Sequence, residues 1–171
     1  LQAFLSTTPV LELPGSFEAR EVLAAGYALG PDELASDEER FEFHRNLLNR
    51  LDEESSINQV ALVAPIPGRP GREASVLPAG DVSEPSNDGT AIVAATPGVF
   101  DVLGVSLLEG RDLRWSDGEG ASLSVLVNEA YAQRYFPGTS PVGRQVIIPS
   151  PDPRAQPSVA TVVGVAPSLG I

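Results

Sequence analysis

The sequence contains no cysteine, no methionine and no lysine, and it has one histidine among its 171 residues. The absence of cysteine excludes thiol catalysis, iron–sulfur clusters and zinc sites built on thiolates. A single histidine is too few for the multi-histidine metal sites of many enzymes. No apolar run reaches the roughly 20 residues that a membrane-spanning helix requires. Composition alone therefore excludes several large classes of metalloprotein and redox enzyme.

Positive charge is also scarce: the chain has 11 basic residues and 23 acidic ones, which gives a net charge of -12. The excess is concentrated in residues 1–56, which hold 12 acids and 4 arginines. Binding to nucleic acid requires a basic face that releases counterions from the phosphates. Neither nucleic acid nor an anionic membrane surface is therefore expected as a partner.

What is present is typical of a folded domain, with 42% hydrophobic and 20% charged residues. A chain of this length buries roughly two-thirds of its unfolded surface and needs no disulfide to fold. Its 16 glycines and 16 prolines divide it into short elements. Strands and short helices are mixed in their order, which predicts an α+β fold. The predicted strands lie at residues 17–29, 57–67, 73–78, 90–96, 105–113, 122–127, 143–149 and 158–166, the last two forming a hairpin.

The clearest helix signal begins at Ser36, which stands three residues before Glu39 and forms a capping box with it. The helix is predicted to run from about Asp37 to Glu53. Its apolar residues recur with helical spacing and are expected to form one buried stripe. The stripe comprises Phe41, His44, Leu47, Leu48 and Leu51.

Local signals predict two shorter helices as well. Thr96 is expected to cap the first, with Pro97 at the first helical position, where a missing N–H has no cost. Gly104 is expected to end that helix in a left-handed conformation. Asn128 is expected to cap the second, which Pro137 ends.

Several residues could carry chemistry, and each also has a structural interpretation. The acidic runs 37–39 and 52–54 bracket one helix, but acid–base catalysis needs two carboxyls in different environments inside a cleft. His44 could act as a pH switch or simply pack among apolar neighbours. The glycines of residues 117–122 follow no buried strand and open no helix, so they indicate a turn and no nucleotide site. A structural role is favoured in all of these cases.

The segment around Gly110 is the most distinctive candidate. Gly110 is expected to supply the backbone freedom for a bend at a strand end. Arg111 and Asp112 could form an ion-paired corner or a ligand clamp, of which the corner is favoured. Trp115, the one tryptophan, could anchor a partner surface or cover a turn, and the sequence leaves both open.

A series of short motifs between residues 91 and 165 is more specific than any one of its members. It comprises TPGVF at 96–100, LG at 103–104, LLEGRDL at 107–113, VNE at 127–129, YFPG at 135–138, PVGR at 141–144 and VVGV at 162–165. In order and spacing the series resembles the periplasmic core domain of MacB-type ABC-transporter permeases, within the FtsX/MacB-type permease family.

The first half of the chain supports the same resemblance. Residues 17–30 and 39–68 resemble the opening of this domain in large bacterial permeases that carry two such domains. The chain departs from the pattern in three places: Leu113 replaces the usual Phe, DEESSIN at 52–58 replaces a shorter turn, and APSLG follows Val165. These departures affect the subfamily more than the family.

The resemblance implies a porter-like lobe of strand–helix–strand units, residues 1–104 and 158–171, and a strand-rich, sabre-like lobe, residues 105–157. It implies an extracytoplasmic, non-catalytic domain without a cofactor, on the periplasmic side of the bacterial inner membrane. Residues 1–5 would leave the first membrane helix of an integral membrane protein. Gly110, Arg111, Asp112 and Trp115 become candidate lobe-junction or partner-contact residues.

The implied function is mechanical. The domain would relay the conformational change driven by a cytoplasmic ABC ATPase and would dock a periplasmic adaptor or a substrate protein, in a transporter that is dimeric when complete. Two other functions stay open. One is a stand-alone periplasmic or secreted protein-binding module with the same fold, and the other is a hydrolase that uses the acidic helix ends.

Overall fold

The computed structural model of the chain describes residues 22, 25–27, 36–65, 72–81, 89–118 and 123–168. These ranges contain the helices α1 (Asp37–Asp52), α2 (Val99–Val102) and α3 (Glu129–Tyr135). They also contain β1 (Val63–Ala64), β2 (Arg72–Ala74), β3 (Leu77–Pro78), β4 (Thr90–Ile92), β5 (Ala94–Ala95), β6 (Glu109–Gly110), β7 (Leu123–Asn128), β8 (Gln145–Ile148) and β9 (Ser158–Ala166). The fold is α+β, as the sequence predicted.

Among the described residues, the long strand β9 organises the largest sheet, in which five strands are found. Strand β7 runs parallel to β9 from Leu123 to Asn128. The other edge of β9 pairs with two antiparallel strands in turn, first β8 and then β6. Strand β3 adds to the far side of β8. Segments distant in the chain therefore meet along one strand, and the predicted β8–β9 hairpin is confirmed.

A β-bulge interrupts β9 at Val163. Val125 pairs with Val162 and the next residue, Leu126, pairs with Gly164, so Val163 has no partner on β7. A bulge bends its strand and re-aims the residues beside it. On the opposite edge of β9, just after the end of β6, the carbonyl of Val163 accepts the Arg111 N–H at 2.9 Å.

The core lies between the sheet and α3. Its buried members come from one face of β8 and β9, from α3 and from the chain before β3: Val76, Tyr131, Val146, Ala160 and Val162. The Tyr131 hydroxyl donates to the Val76 carbonyl at 3.2 Å, which satisfies it inside the core. Burial raises the pKa of Tyr131 to about 12. This side of the sheet is a closed apolar interface.

The capping box of α1 is confirmed. The Ser36 hydroxyl accepts the Glu39 N–H at 3.1 Å, and the Glu39 carboxylate accepts the Ser36 N–H at 3.1 Å. The predicted buried stripe is wrong in part, because Leu48 is buried while Phe41 is 37% exposed. His44, Leu47 and Leu51 are half-buried. Helical spacing identified the face, but tertiary contacts decide how far along the helix it is covered.

The predicted start of α2 is wrong. Gly98, at φ +87°, is the N-cap, and helix α2 begins at Val99. Thr96 instead follows β5 directly, where its hydroxyl accepts the Leu62 N–H at 2.9 Å beside the β1–β5 pair. A threonine before proline satisfies the local rule for a helix cap, but here the hydroxyl is engaged by the N–H of Leu62, 34 positions away in the sequence.

The other predicted helix ends are confirmed. Gly104 follows α2 with φ +65°. The side chain of Asn128 accepts the Tyr131 N–H at 2.8 Å and caps α3, which ends at Tyr135, ahead of Pro137. These signals succeed because their partners lie within a few residues.

Several strands are shorter than predicted. Of residues 57–67, the described part forms a strand only at β1, and of residues 105–113 only at β6. The segments 73–78 and 90–96 each divide into short pieces, and β4 pairs with β2 in a second two-stranded sheet. The predicted strand at 17–29 lies mostly outside the described residues.

Candidate functional site

The predicted junction residues lie together at one corner of the five-stranded sheet. This corner, residues 110–117, runs from the end of β6 into a short 3₁₀ helix, Trp115–Gly118. Its first residue pairs with Gly164 of β9, so the corner adjoins the bulge. It also approaches the N-terminal half of α1 through Trp115.

Gly110 allows the two backbones to approach closely. Its φ is +79°, a conformation that side chains disfavour. A Cβ there would fall on the Val163 carbonyl oxygen and lie 2.7 Å from the Gly164 Cα. Gly164 is restricted by space as well, because its own Cβ would lie 2.6 Å from the Arg111 carbonyl oxygen. The expectation that Gly110 serves backbone geometry is therefore confirmed.

Arg111 forms its ion pair with Asp117 and not with Asp112, which corrects the sequence interpretation. Its two terminal nitrogens lie 2.7 and 2.8 Å from the two carboxylate oxygens of Asp117. One of them also donates to the Asp112 carbonyl at 2.8 Å. Paired parallel hydrogen bonds of this kind fix orientation as well as distance. The pair closes residues 111–117 into a ring of contacts.

The pKa of Asp117 is strongly shifted by the groups around it. The hydrogen bonds from Arg111 lower the pKa of Asp117 well below its ordinary value, and hydrogen bonds from the Arg114 N–H and the Ser124 side chain act in the same direction. Partial burial opposes them. The pKa of Arg111 is raised, chiefly by its hydrogen bonds to Asp117. Both groups are therefore charged across the physiological range.

Asp112 has a separate role. Its carboxylate accepts the Gly98 N–H at 3.1 Å and the Leu113 N–H at 2.7 Å. The first of these bonds ties the corner to Gly98, the N-cap of α2. Three neighbouring residues thus reach three segments: β9 through Gly110, the 3₁₀ helix through Arg111, and α2 through Asp112.

Trp115 both packs and remains accessible. Its ring meets Phe41 of α1 edge to face, with ring centres 5.9 Å apart and planes at 77°. This geometry is the favoured one for aromatic pairs. Trp115 is nevertheless 40% exposed. Trp115 therefore packs on α1, and its exposed part leaves the partner-contact role as a prediction.

Comparison with known proteins decides the family. A family model described as "MacB-like periplasmic core domain" matches residues 16–170. The chain belongs to this family. No curated protein sequence matches the chain.

The fold agrees with that of a solved member. The MacB-like domain superposes on the periplasmic region of MacB from Actinobacillus actinomycetemcomitans with a TM-score of 0.50 and 20% sequence identity. The match covers 74% of this chain and 51% of that chain. The chain thus spans about half the length of the solved periplasmic region, and the likeness concerns the fold alone.

The other candidate residues of the MacB-like domain do not form a site. Glu38 and Glu39 at one end of α1 and the acidic run 52–54 at the other are exposed, without the contrasting environments that an acid–base pair needs. His44 packs near the rings of Tyr27 and Phe43, at 6.1 and 5.7 Å. Within the described ranges, no group of three or more acidic or histidine side chains is placed to hold a metal ion.

Sequence reasoning missed two contact partners at the corner, one for Arg111 and one for Trp115. Asp117 was assigned to a turn, and Phe41 to a buried stripe. The available signal for Asp117 was its spacing of six residues from Arg111 across a predicted turn. Phe41 lies 74 positions before Trp115 in the sequence, and no local pattern joins them.

In the part of the chain that the structure describes, no helix is long and apolar enough to cross a membrane.

Proposed function

We propose that the chain is the extracytoplasmic domain of an ABC-transporter permease and acts there as a non-catalytic mechanical relay. The family match over residues 16–170 carries this proposal, because it includes almost the whole chain. The parent protein would be embedded in the bacterial inner membrane, with this domain on the periplasmic side. A cytoplasmic ABC ATPase would supply the movement, and the complete transporter would be dimeric.

The use of charged residues within the corner supports a mechanical role. The carboxylates of Asp112 and Asp117 accept hydrogen bonds from the protein's own backbone and from Arg111. Groups engaged in this way hold segments together. A relay needs such fixed connections, whereas a catalytic acid or base needs a perturbed group facing a cleft.

The corner is the proposed junction of the two lobes. If the porter-like lobe comprises residues 1–104 and 158–171 and the sabre-like lobe residues 105–157, then β9 lies in the first lobe and pairs with β6, β7 and β8 of the second. The Gly110–Gly164 approach and the Arg111 N–H bond to Val163 both cross that boundary. Gly110, Arg111, Asp112 and Trp115 would therefore brace the lobes, with Trp115 available to an adaptor or substrate protein.

The parent gene provides the first test. Membrane helices encoded on both sides of this segment, together with co-purification of an ABC ATPase with the full-length protein, are expected. A parent chain without membrane helices would overturn the proposal and favour a stand-alone binding module. Activity of the domain on a panel of hydrolase substrates, lost when the acidic helix ends are replaced by amides, would overturn the non-catalytic role.

A second test measures the relay. The full-length permease and its ATPase are reconstituted in membranes, and ATP hydrolysis and substrate movement are followed together. Gly110→Val is expected to reduce substrate movement per ATP hydrolysed. Gly138→Val, at an exposed turn glycine with a similar φ of +71° and open space around it, is the matched control. Equal coupling in both variants would contradict a bracing role for the corner.

A further inference from the structure

The position of Trp115 depends on the ion pair that encloses it. Arg111 and Asp117 lie six residues apart and bind each other through two hydrogen bonds. Trp115 starts the 3₁₀ helix inside this closed segment. The Asp117 carboxylate also accepts the Arg114 N–H at 2.8 Å, directly before Trp115. The backbone that carries the indole ring is therefore held on both sides by one carboxylate.

On its outer side the indole ring meets α1. Phe41 contacts Trp115 edge to face. The Arg45 guanidinium lies 5.8 Å from the centre of the Phe41 ring and pairs with Glu42 at 2.7 Å. Spacings of three and four residues place these side chains on adjoining turns of α1. Phe41 is thus supported by its own helix while it receives Trp115.

On its inner side the corner is attached to β9. The Arg111 N–H donates to the Val163 carbonyl at the bulge, and Gly110 pairs with Gly164. An unbroken series of contacts consequently runs from α1 through Phe41 and Trp115 to the central strand. Contiguous packed side chains and hydrogen bonds of this kind can carry coupling when they have two arrangements.

We propose that the Arg111–Asp117 ion pair is a latch that positions Trp115 against Phe41 and thereby couples α1 to strand β9. Arg111 and Asp117 are positioning residues, because they hold the segment that carries Trp115 and it is Trp115 that contacts Phe41. When the latch is closed, α1 and the sheet move together. When it is broken, the 3₁₀ helix is released and Trp115 turns from α1 toward water. The importance of this coupling for transport rests on the proposed relay function, but the coupling itself does not.

The lone tryptophan makes the inference measurable, because all tryptophan emission comes from Trp115. In the 171-residue chain, Asp117→Asn keeps the shape of the side chain and removes the ion pair. We expect a red shift of the emission and an increase in quenching by acrylamide, with unchanged far-ultraviolet circular dichroism. Phe41→Leu should produce the same shift by removing the ring contact directly. Glu129→Gln removes an acid from the exposed start of α3 and should leave the emission unchanged.

The double variant tests the coupling. If the ion pair acts through the Phe41–Trp115 contact, Phe41→Leu should change the emission much less in the Asp117→Asn background than in the wild type. Fully additive changes, or an Asp117→Asn protein that is folded with wild-type emission and quenching, would overturn the inference. Should Asp117→Asn fail to fold, Arg111→Lys keeps the charge but loses the two-pronged geometry. A folded Arg111→Lys protein with wild-type emission would overturn the inference equally.

This measurement separates the inference from the proposed function. The emission of the isolated chain reports whether the latch positions Trp115, whatever the parent protein does. A confirmed latch in a chain whose parent has no membrane helices would retain the inference and overturn the relay. An absent latch in a confirmed permease would do the reverse.

Discussion

Two regions of this MacB-like domain rest on the same strand, β9, and are held by different forces. The core beneath α3 is apolar and closed, with Val162 fully buried and Val146 1% exposed. The corner at 110–117 is held by backbone approach and by an ion pair in which the Arg111 side chain is 36% exposed. The stability of the apolar core should not depend on pH, whereas the ion pair of the corner should. The two regions should therefore be weakened by different perturbations.

The largest effect is expected in the core. Tyr131→Ala removes a buried ring and should lower the free energy of unfolding by about 3–5 kcal/mol. Tyr131→Phe retains the ring and loses only the bond to the Val76 carbonyl, about 1 kcal/mol. Denaturant titration followed by circular dichroism measures both changes. Equal losses in the two variants would show that the hydroxyl, and not the ring, stabilises this region.

A smaller effect is expected where β6 meets β9. Gly110→Ala combines a disfavoured backbone conformation with contact against the Val163 carbonyl, and should cost roughly 1–3 kcal/mol. Gly138→Ala shares the positive φ but has open space around its Cα, so its loss should be the smaller of the two. Thermal unfolding of both variants compares them. If Gly138→Ala proved as damaging as Gly110→Ala, the close approach would contribute nothing.

The cap of α3 should have a smaller effect than either. Asn128→Ala removes the acceptor for the Tyr131 N–H and should cost about 1 kcal/mol. Asn128→Asp preserves the acceptor, so it is expected to stay close to the wild-type stability. A change in the denaturation midpoint for alanine and none for aspartate supports the cap. Because α3 covers the core, this prediction links local helix chemistry to the apolar side of β9.

The sequence predicts the two regions unequally well. The caps at Ser36 and Asn128 and the stop at Gly104 were predicted correctly, because each signal and its hydrogen-bond partner lie within a few residues. The α+β fold and the β8–β9 hairpin follow from periodicity and adjacency. The order of the family's motifs identifies the domain, although each motif is weak alone.

The corner was predicted less completely because its partners are decided by tertiary structure. Arg111 has three acidic residues nearby in the sequence, Glu109, Asp112 and Asp117, and only the turn of the chain determines which one faces the guanidinium. The Thr96 cap failed because the N–H of Leu62, a residue distant in the sequence that lies just before β1, donates to the Thr96 hydroxyl. The bulge at Val163 depends on the register of β7 and leaves no trace in composition. Local rules predict where elements begin, and the fold decides which side chains meet.

The smallest effect at neutral pH, and the sharpest contrast with the core, is expected for Asp117→Asn. The pKa of Asp117 is lowered in the folded state from an ordinary value of 3.8, so its ion pair stabilises the fold above that value. The contribution is lost as the pH falls from 3.8 toward the lower folded pKa, because the unfolded chain takes up the proton first. The stability difference between wild type and Asp117→Asn should therefore be constant near neutrality and shrink in acid. Because Arg111 is partly exposed, this stability difference should be small at every pH.

The stability difference caused by Tyr131→Phe should not change over the same pH range. A parallel decline in both differences would show that acid weakens the whole sheet and not the corner.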